Sequence, residues 1–148
     1  MKPDPHRLDL TSYPLLKLIP TRLSDVNAAR HVSNTAIAGI YDDARYDVLM
    51  QVVPEGERSR GNRTVMAQTN LRYIEEIHHP DPLTVATGVS RIGRSSFELF
   101  QGLFSAGRCV GLCDTTYVYC DAAGPAAVDD AKRTTLMSIA YRLPTDQA

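Results

Sequence analysis

Residues 24–45 read SDVNAARHVSNTAIAGIYDDAR, a polar stretch carrying Asp25, Asn27, His31 and Asn34 that runs directly into an amphipathic segment. Ile37, Ile40, Tyr41, Ala44, Val48 and Val52 recur at three- and four-residue steps, while Asp43, Asp47 and Gln51 fall on other faces. The spacing predicts one helix of about 18 residues starting near Asn34. A helix start presents unpaired N–H groups at the positive end of its dipole, where an anion or a developing oxyanion is held favourably. Gly39 inside the helix costs ~1 kcal/mol relative to alanine, and a close approach of helix to sheet is the expected reason for it.

On the N-terminal side, LLKLIPTR (15–22) is short, apolar and extended, and Pro20 marks it as an edge strand or a bulge. Residues 1–14 are expected to form a loose arm. On the C-terminal side, PEGERSRGNRT (54–64) is charged and aperiodic, a connecting loop rather than the start of a second domain. Thr64–Ile74, Leu83–Ile92, Ser95–Ser105 and Arg108–Cys120 follow, each rich in β-branched or aromatic residues. The breaks between them carry turn chemistry: HHPDP, Gly93–Arg94 and Ala106–Gly107. Four consecutive strands with short turns predict an antiparallel meander with one long helix over one face, an α+β fold. Asp129–Tyr141, within a C-terminal tail 129–148, is expected to be a short helix or irregular.

A chain of 148 residues suffices for one domain with one core. A net charge of −1 gives no general attraction to nucleic acid or to an anionic membrane. The start, MKPDPHRLDL, has no apolar core of a leader, and no stretch approaches the ~18–20 apolar residues of a membrane span, so a cytoplasmic location is expected. Cys109, Cys113 and Cys120 cannot all pair with one another and lie in one segment, which favours reduced strand thiols.

The ordered set of pieces resembles the hotdog-fold acyl-CoA thioesterases of the 4-hydroxybenzoyl-CoA thioesterase-like group. It comprises Ser24-Asp25, His31-Val32 with Asn34, Tyr41-Asp42-Asp43-Ala44-Arg45, Arg91-Ile92-Gly93-Arg94-Ser95-Ser96-Phe97, and Val118-Tyr119 with Asp121 and Gly124-Pro125. The resemblance implies a long central helix wrapped by a curved antiparallel sheet. It implies homodimers, with tetramers open, whose acyl-CoA sites lie at the subunit interface. It also implies hydrolysis of a thioester without a metal or other cofactor, CoA entering only as part of the substrate. Members commonly carry S-D-x-D-x-x-G-H-V-N-N, whose second aspartate is the usual nucleophile or base. This chain has Asn27 there, with Arg30 for the glycine, Ser33 for the first asparagine, and Ala29 where acyl-carrier thioesterases place a further asparagine.

Thioester hydrolysis needs a water activator or carboxylate nucleophile, a polariser for the carbonyl and an anchor for the CoA phosphates. Asn27 cannot take a proton from water, but it can orient that water or donate to a carbonyl oxygen. His31 suits a base or a hydrogen-bond donor, and equally a loop residue that caps or packs. Asp25 and Asp42 are the candidate carboxylates. Against these roles stand backbone capping for Asp25 and an ordinary pair with Arg45 for Asp42. Backbone N–H groups of Val32, Ser33, Asn34 and Thr35 are the expected oxyanion donors. Arg91, Arg94, Ser95 and Ser96 form either a phosphate clamp or an ordinary charged hairpin. His78-His79 precede a PDP turn without companion ligands at metal spacing in the sequence, and read as surface turn residues. A non-hydrolytic acyl-CoA or acyl-carrier-binding protein is the alternative reading. The histidine-and-acid pattern of hotdog hydratases is not found.

Overall fold

Ser33 starts helix α1: its extended backbone (ψ 154°) turns the chain, and its Oγ accepts from the N–H of Ala36. The computed structural model, which describes residues 2–143, carries α1 from Asn34 to Val52. Ile37, Ile40, Tyr41, Ala44, Val48 and Val52 are all buried, as their spacing predicts. Around it lie β1 (Leu15–Ile19), β2 (Arg63–Tyr73), β3 (Leu83–Ile92), β4 (Ser96–Ser105), β5 (Arg108–Asp121) and the two-residue β6 (Gly124–Pro125). The strands form one antiparallel sheet curled about the helix, the hotdog architecture.

The strand order is β1-β3-β4-β5-β2, with β6 on β5. The expected four-strand meander therefore holds only for β3, β4 and β5. Strand β2 lies beside β5, from Arg63 opposite Cys120 to Tyr73 opposite Gly111, and forms the far edge of the sheet. The reason is the long connection 74–82, which cannot be a tight hairpin and crosses the end of α1, where Ile77 O accepts from Val32 N at 2.8 Å. β1 forms the other edge, paired with β3 from Leu15 opposite Thr87 to Ile19 opposite Leu83.

The N-terminal arm is not loose. Asp4 and Asp9 cap two 3₁₀ turns, Pro5–Leu8 and Leu10–Ser12. Arg7 is buried, pairs with Asp114 at 2.6 Å and lies over the ring of Phe100 at 3.7 Å. That half-buried ion pair ties the arm to the outer face of β4 and β5. The connecting loop holds a single helical turn, α2 (Glu55–Arg58), and the C-terminal stretch forms α3 (Asp130–Ser138), capped by Asp129. Residues 144–148 of the expected tail lie outside the described residues. Gly39 marks no close approach either. A Cβ there would meet nothing within 4 Å, so the bare position opens a groove beside the helix. Cys113 and Cys120 are buried, Cys109 is half-buried, and all three are unpaired. No helix among the described residues is long and apolar enough to cross a membrane.

Two apolar clusters flank the middle of α1, one built on Ile37, Ile40 and Tyr41 and the other on Val48 and Val52. Between them on the helix sits Arg45, itself buried. Its guanidinium donates to Tyr117 Oη (2.7 Å), Gln101 Oε1 (3.1 Å) and Asp42 Oδ1 (3.2 Å). Gln101 in turn donates to the carbonyl of Tyr41 and to Thr87 Oγ1, both at 3.2 Å. Arg45→Met, which keeps the stem and removes the donors, leaves buried acceptors unpaired and is expected to destabilise the fold by roughly 2–4 kcal/mol. Urea unfolding of the variant beside the parent measures it.

Candidate functional site

The loop from Val26 to Val32 closes on itself through the Val26–Val32 bridge and the bond from Asn27 N to His31 O (2.9 Å). Asn27 Oδ1 accepts from the N–H groups of Ala29 (3.0 Å) and His31 (3.2 Å), so the side-chain oxygen organises the turn. An aspartate at this position could accept the same two bonds with one oxygen and keep the other free. Asp25 is buried, and Arg22 engages both its oxygens: Oδ2 accepts from the backbone N–H at 2.8 Å and Oδ1 from the guanidinium at 3.0 Å. The Arg22 backbone N–H above all, then its side chain, holds this carboxyl below the usual range despite burial. It is a cap in the geometry seen here.

The expected oxyanion donors divide. Val32 N is used by Ile77 O and Ser33 N by Asp25 O, each at 2.8 Å. The N–H groups of Asn34 and Thr35, the first two of α1, have no acceptor among the described residues. They open at the positive end of a 19-residue helix. On one side of this helix start is a cleft of about 710 Å³ that includes Asp25, Ser33, Thr35, Gly39 and Asp43. On the other is one of about 280 Å³ that includes Asn27, His31, Asn34 and Glu76.

Asp42 faces a third groove, between α1 and β2, of about 320 Å³, shared with Gly39, Arg45, Met66, Thr69 and Leu71. Its carboxylate is two-thirds exposed (67%) and held by Arg45 through Oδ1, while Oδ2 has no partner among the described residues. The pair with Arg45 expected for a solvated residue is present, but the cation is buried and also fixed by Tyr117 and Gln101, which aims the carboxylate. Asp42 and Asn34 stand eight residues apart on one helix, about 12 Å along its axis. Arg91, Arg94, Ser95 and Ser96 do gather at the β3–β4 turn, with both arginines exposed. This turn is at the far end of β3 from Leu83 and the helix start, since ten extended residues span about 30 Å. Within one chain the structure does not bring these four residues to the loop.

His31 Nε2 lies 3.1 Å from Glu76 Oε2, and its ring meets that of His78 edge-on with centroids 5.1 Å apart. The expectation that His78 lacks companions is thus corrected, because the companions come from the 26–32 loop and from two residues upstream. His79 does behave as a structural turn residue, its Nδ1 2.8 Å from Thr21 Oγ1. His31, Glu76 and His78 form a group able to hold a metal ion, and sequence reasoning missed Glu76 altogether.

The family model of the thioesterase-like superfamily matches residues 21–136, which run from this loop through α1 and β2–β5 into α3. The chain belongs to the thioesterase-like superfamily. No curated protein matches it. Among solved structures of similar fold is a predicted thioesterase from Bacillus stearothermophilus, with TM-score 0.80, 21% identity and coverage of 87% of this chain and 98% of that one. A thioesterase from Thermus thermophilus, complexed with coenzyme A and Zn, gives 0.78, 20%, 90% and 98%. A DHNA-CoA thioesterase from Staphylococcus aureus gives 0.72, 17%, 83% and 87%. At these TM-scores the likeness shows a shared fold.

The capping role of Asp25 has a pH signature. Its folded pKa is depressed, so its contribution is present above the unfolded value and lost as pH falls through the folded one. Asp25→Asn is expected to be less stable than the parent at pH 7. The gap should close as pH falls from about 4 downward. Thermal unfolding of both proteins across pH 2–7 checks the convergence.

Proposed function

We propose that this protein is a homodimeric acyl-CoA thioesterase whose reacting groups come from two subunits. The observation that carries the reading is the pair of unpartnered N–H groups at Asn34 and Thr35. Two aligned donors at a helix start suit the oxygen of a thioester carbonyl as it becomes a tetrahedral oxyanion. The free oxygen of Asp42 is the carboxylate, because Asn27 is an amide and Arg22 occupies both oxygens of Asp25. Asp42 takes a proton from water as that water attacks the carbonyl carbon, and collapse of the intermediate breaks the C–S bond while Asp42 returns the proton to sulfur, so that CoA leaves as the thiol. Asn27 and His31, on the smaller cleft, orient the thioester. The step draws on a carboxylate and N–H donors and uses no metal.

About 12 Å separates Asp42 from the donors of its own helix, too far for both to meet one carbonyl. A second copy running antiparallel across the α1–β2 groove supplies the missing half. The exposed apolar side chains of β2, Val65, Met66 and Tyr73, give that copy a surface to cover. In the same arrangement the CoA phosphates fall to Arg91, Arg94, Ser95 and Ser96 of the other subunit. The alternative, an acyl-CoA or acyl-carrier-binding protein without hydrolysis, is favoured by Asn27 standing where the family has an acid.

Asn34→Pro removes one donor without breaking the helix, since proline suits the first helical position and Ser33 before it is already extended. It is expected to lower turnover of acyl-CoA roughly 10²–10³-fold, with Asn34→Ala close to the parent. Asp42→Asn should lower it roughly 10²–10⁴-fold. Mixing the two weak variants should restore about a quarter of the parental rate, because half the dimers are mixed and each holds one intact site. No recovery removes the two-subunit reading, and CoA binding without any thiol release by the parent selects the non-hydrolytic one. Arg91→Ala and Arg94→Ala should each weaken CoA binding several-fold and flatten its salt dependence, read by titration calorimetry at two ionic strengths.

A further inference from the structure

We infer that His31, Glu76 and His78 form a binding site for a divalent transition-metal ion of the zinc type, and that this ion bridges two segments lying side by side. The site shares His31 with the hydrolytic reading, in which that residue orients the thioester and no metal is used, and metal binding is measured apart from hydrolysis. Three features carry it. The first is the donor set: two imidazoles and one carboxylate suit a borderline cation such as Zn²⁺ and not a hard one that demands oxygen alone. The second is spacing. Ligand atoms around a tetrahedral zinc at 2.0–2.1 Å are about 3.4 Å apart. His31 Nε2 and Glu76 Oε2 are 3.1 Å apart, and all three donor atoms lie within 4.8 Å of one another. Small rotations of the two exposed side chains, Glu76 and His78, complete the set.

The third feature is the scaffold, which is rigid although the side chains are partly exposed. His31 is held by the bond from its own N–H to Asn27 Oδ1 and by the bond from Asn27 N to its carbonyl. The next residue, Val32, donates to Ile77 O at 2.8 Å, and Ile77 is buried between Glu76 and His78. Burial of Ile77 turns its two neighbours outward on the same side, toward His31. Beyond them His79 is fixed to Thr21. Both halves of the site are thus joined by a backbone bond before any ion arrives, which removes most of the ordering cost of binding. The fourth position of a three-ligand zinc opens into the cleft of about 280 Å³ and is left for water.

The ion would take the lone pair of His31 Nε2 and tie the 26–32 loop to the 74–79 segment. Binding to the folded chain alone raises its melting temperature by linkage. The test uses the full chain without a histidine tag, stripped with a chelator and titrated calorimetrically with ZnCl₂, and separately with MgCl₂. Expected are one Zn²⁺ per chain, a rise in melting temperature with Zn²⁺ and no binding of Mg²⁺. Glu76→Gln and His78→Ala should each weaken Zn²⁺ binding at least tenfold, with His6→Ala unchanged. Both sites of substitution are exposed, so circular dichroism should show the fold intact. Absence of saturable Zn²⁺ binding overturns the site, as does Zn²⁺ binding that survives undiminished in both Glu76→Gln and His78→Ala. Neither result depends on thioester hydrolysis, whose failure is read independently.

Discussion

The buried guanidinium of Arg45 is the constraint on which the rest of the arrangement depends. A cation inside an apolar core is tolerated only where its donors are met, and here the acceptors are fixed points on β4 and β5. Apolar side chains of α1 could slide along the sheet at modest cost, but a planar group meeting Tyr117 and Gln101 cannot. The helix is therefore locked in both rotation and translation. From that lock follow the direction of Asp42, the height of the helix start above the sheet, and the grooves on either side.

The helix was legible because it depends on residues close in sequence. Ser33, the apolar steps and the turn residues all act locally. Strand order was not legible. The four long segments look alike as sequences, and what sends β2 beside β5 is a long connection anchored at Ile77 by a bond from Val32. The arm escaped for a similar reason: Arg7 reads as a surface arginine until Asp114 and Phe100 are brought to it from the far half of the chain. Arg45 carried a usable signal. It lies four residues after Tyr41 and three before Val48, squarely on the apolar stripe, and Gln101 and Thr115 interrupt strands that are otherwise apolar inward.

The candidate site divides along the same line. Asp25 as a cap and Asn34–Thr35 as free donors follow from local geometry. The grouping of His31 with Glu76 and His78 joins segments more than forty residues apart in the numbering and has no local signature. Asn27 is instructive because its chemistry and its structural role separate. The amide retains the turn-forming acceptor that an aspartate would offer and gives up the charge. The turn needs the acceptor and not the charge.

The placement of β2 also governs how the chain acquires its shape. β3, β4 and β5 are neighbours in sequence and can zip together through two short turns. β2 precedes all of them, yet its strand partner β5 is the last long strand to be made, with Arg63 waiting for Cys120. During synthesis this segment, with Val65, Met66 and Tyr73 uncovered, has no native ladder to join until nearly the whole domain has emerged. The interval is one in which a nascent chain is open to pairing with the wrong strand or with another molecule, and it ends only when the last long strand arrives.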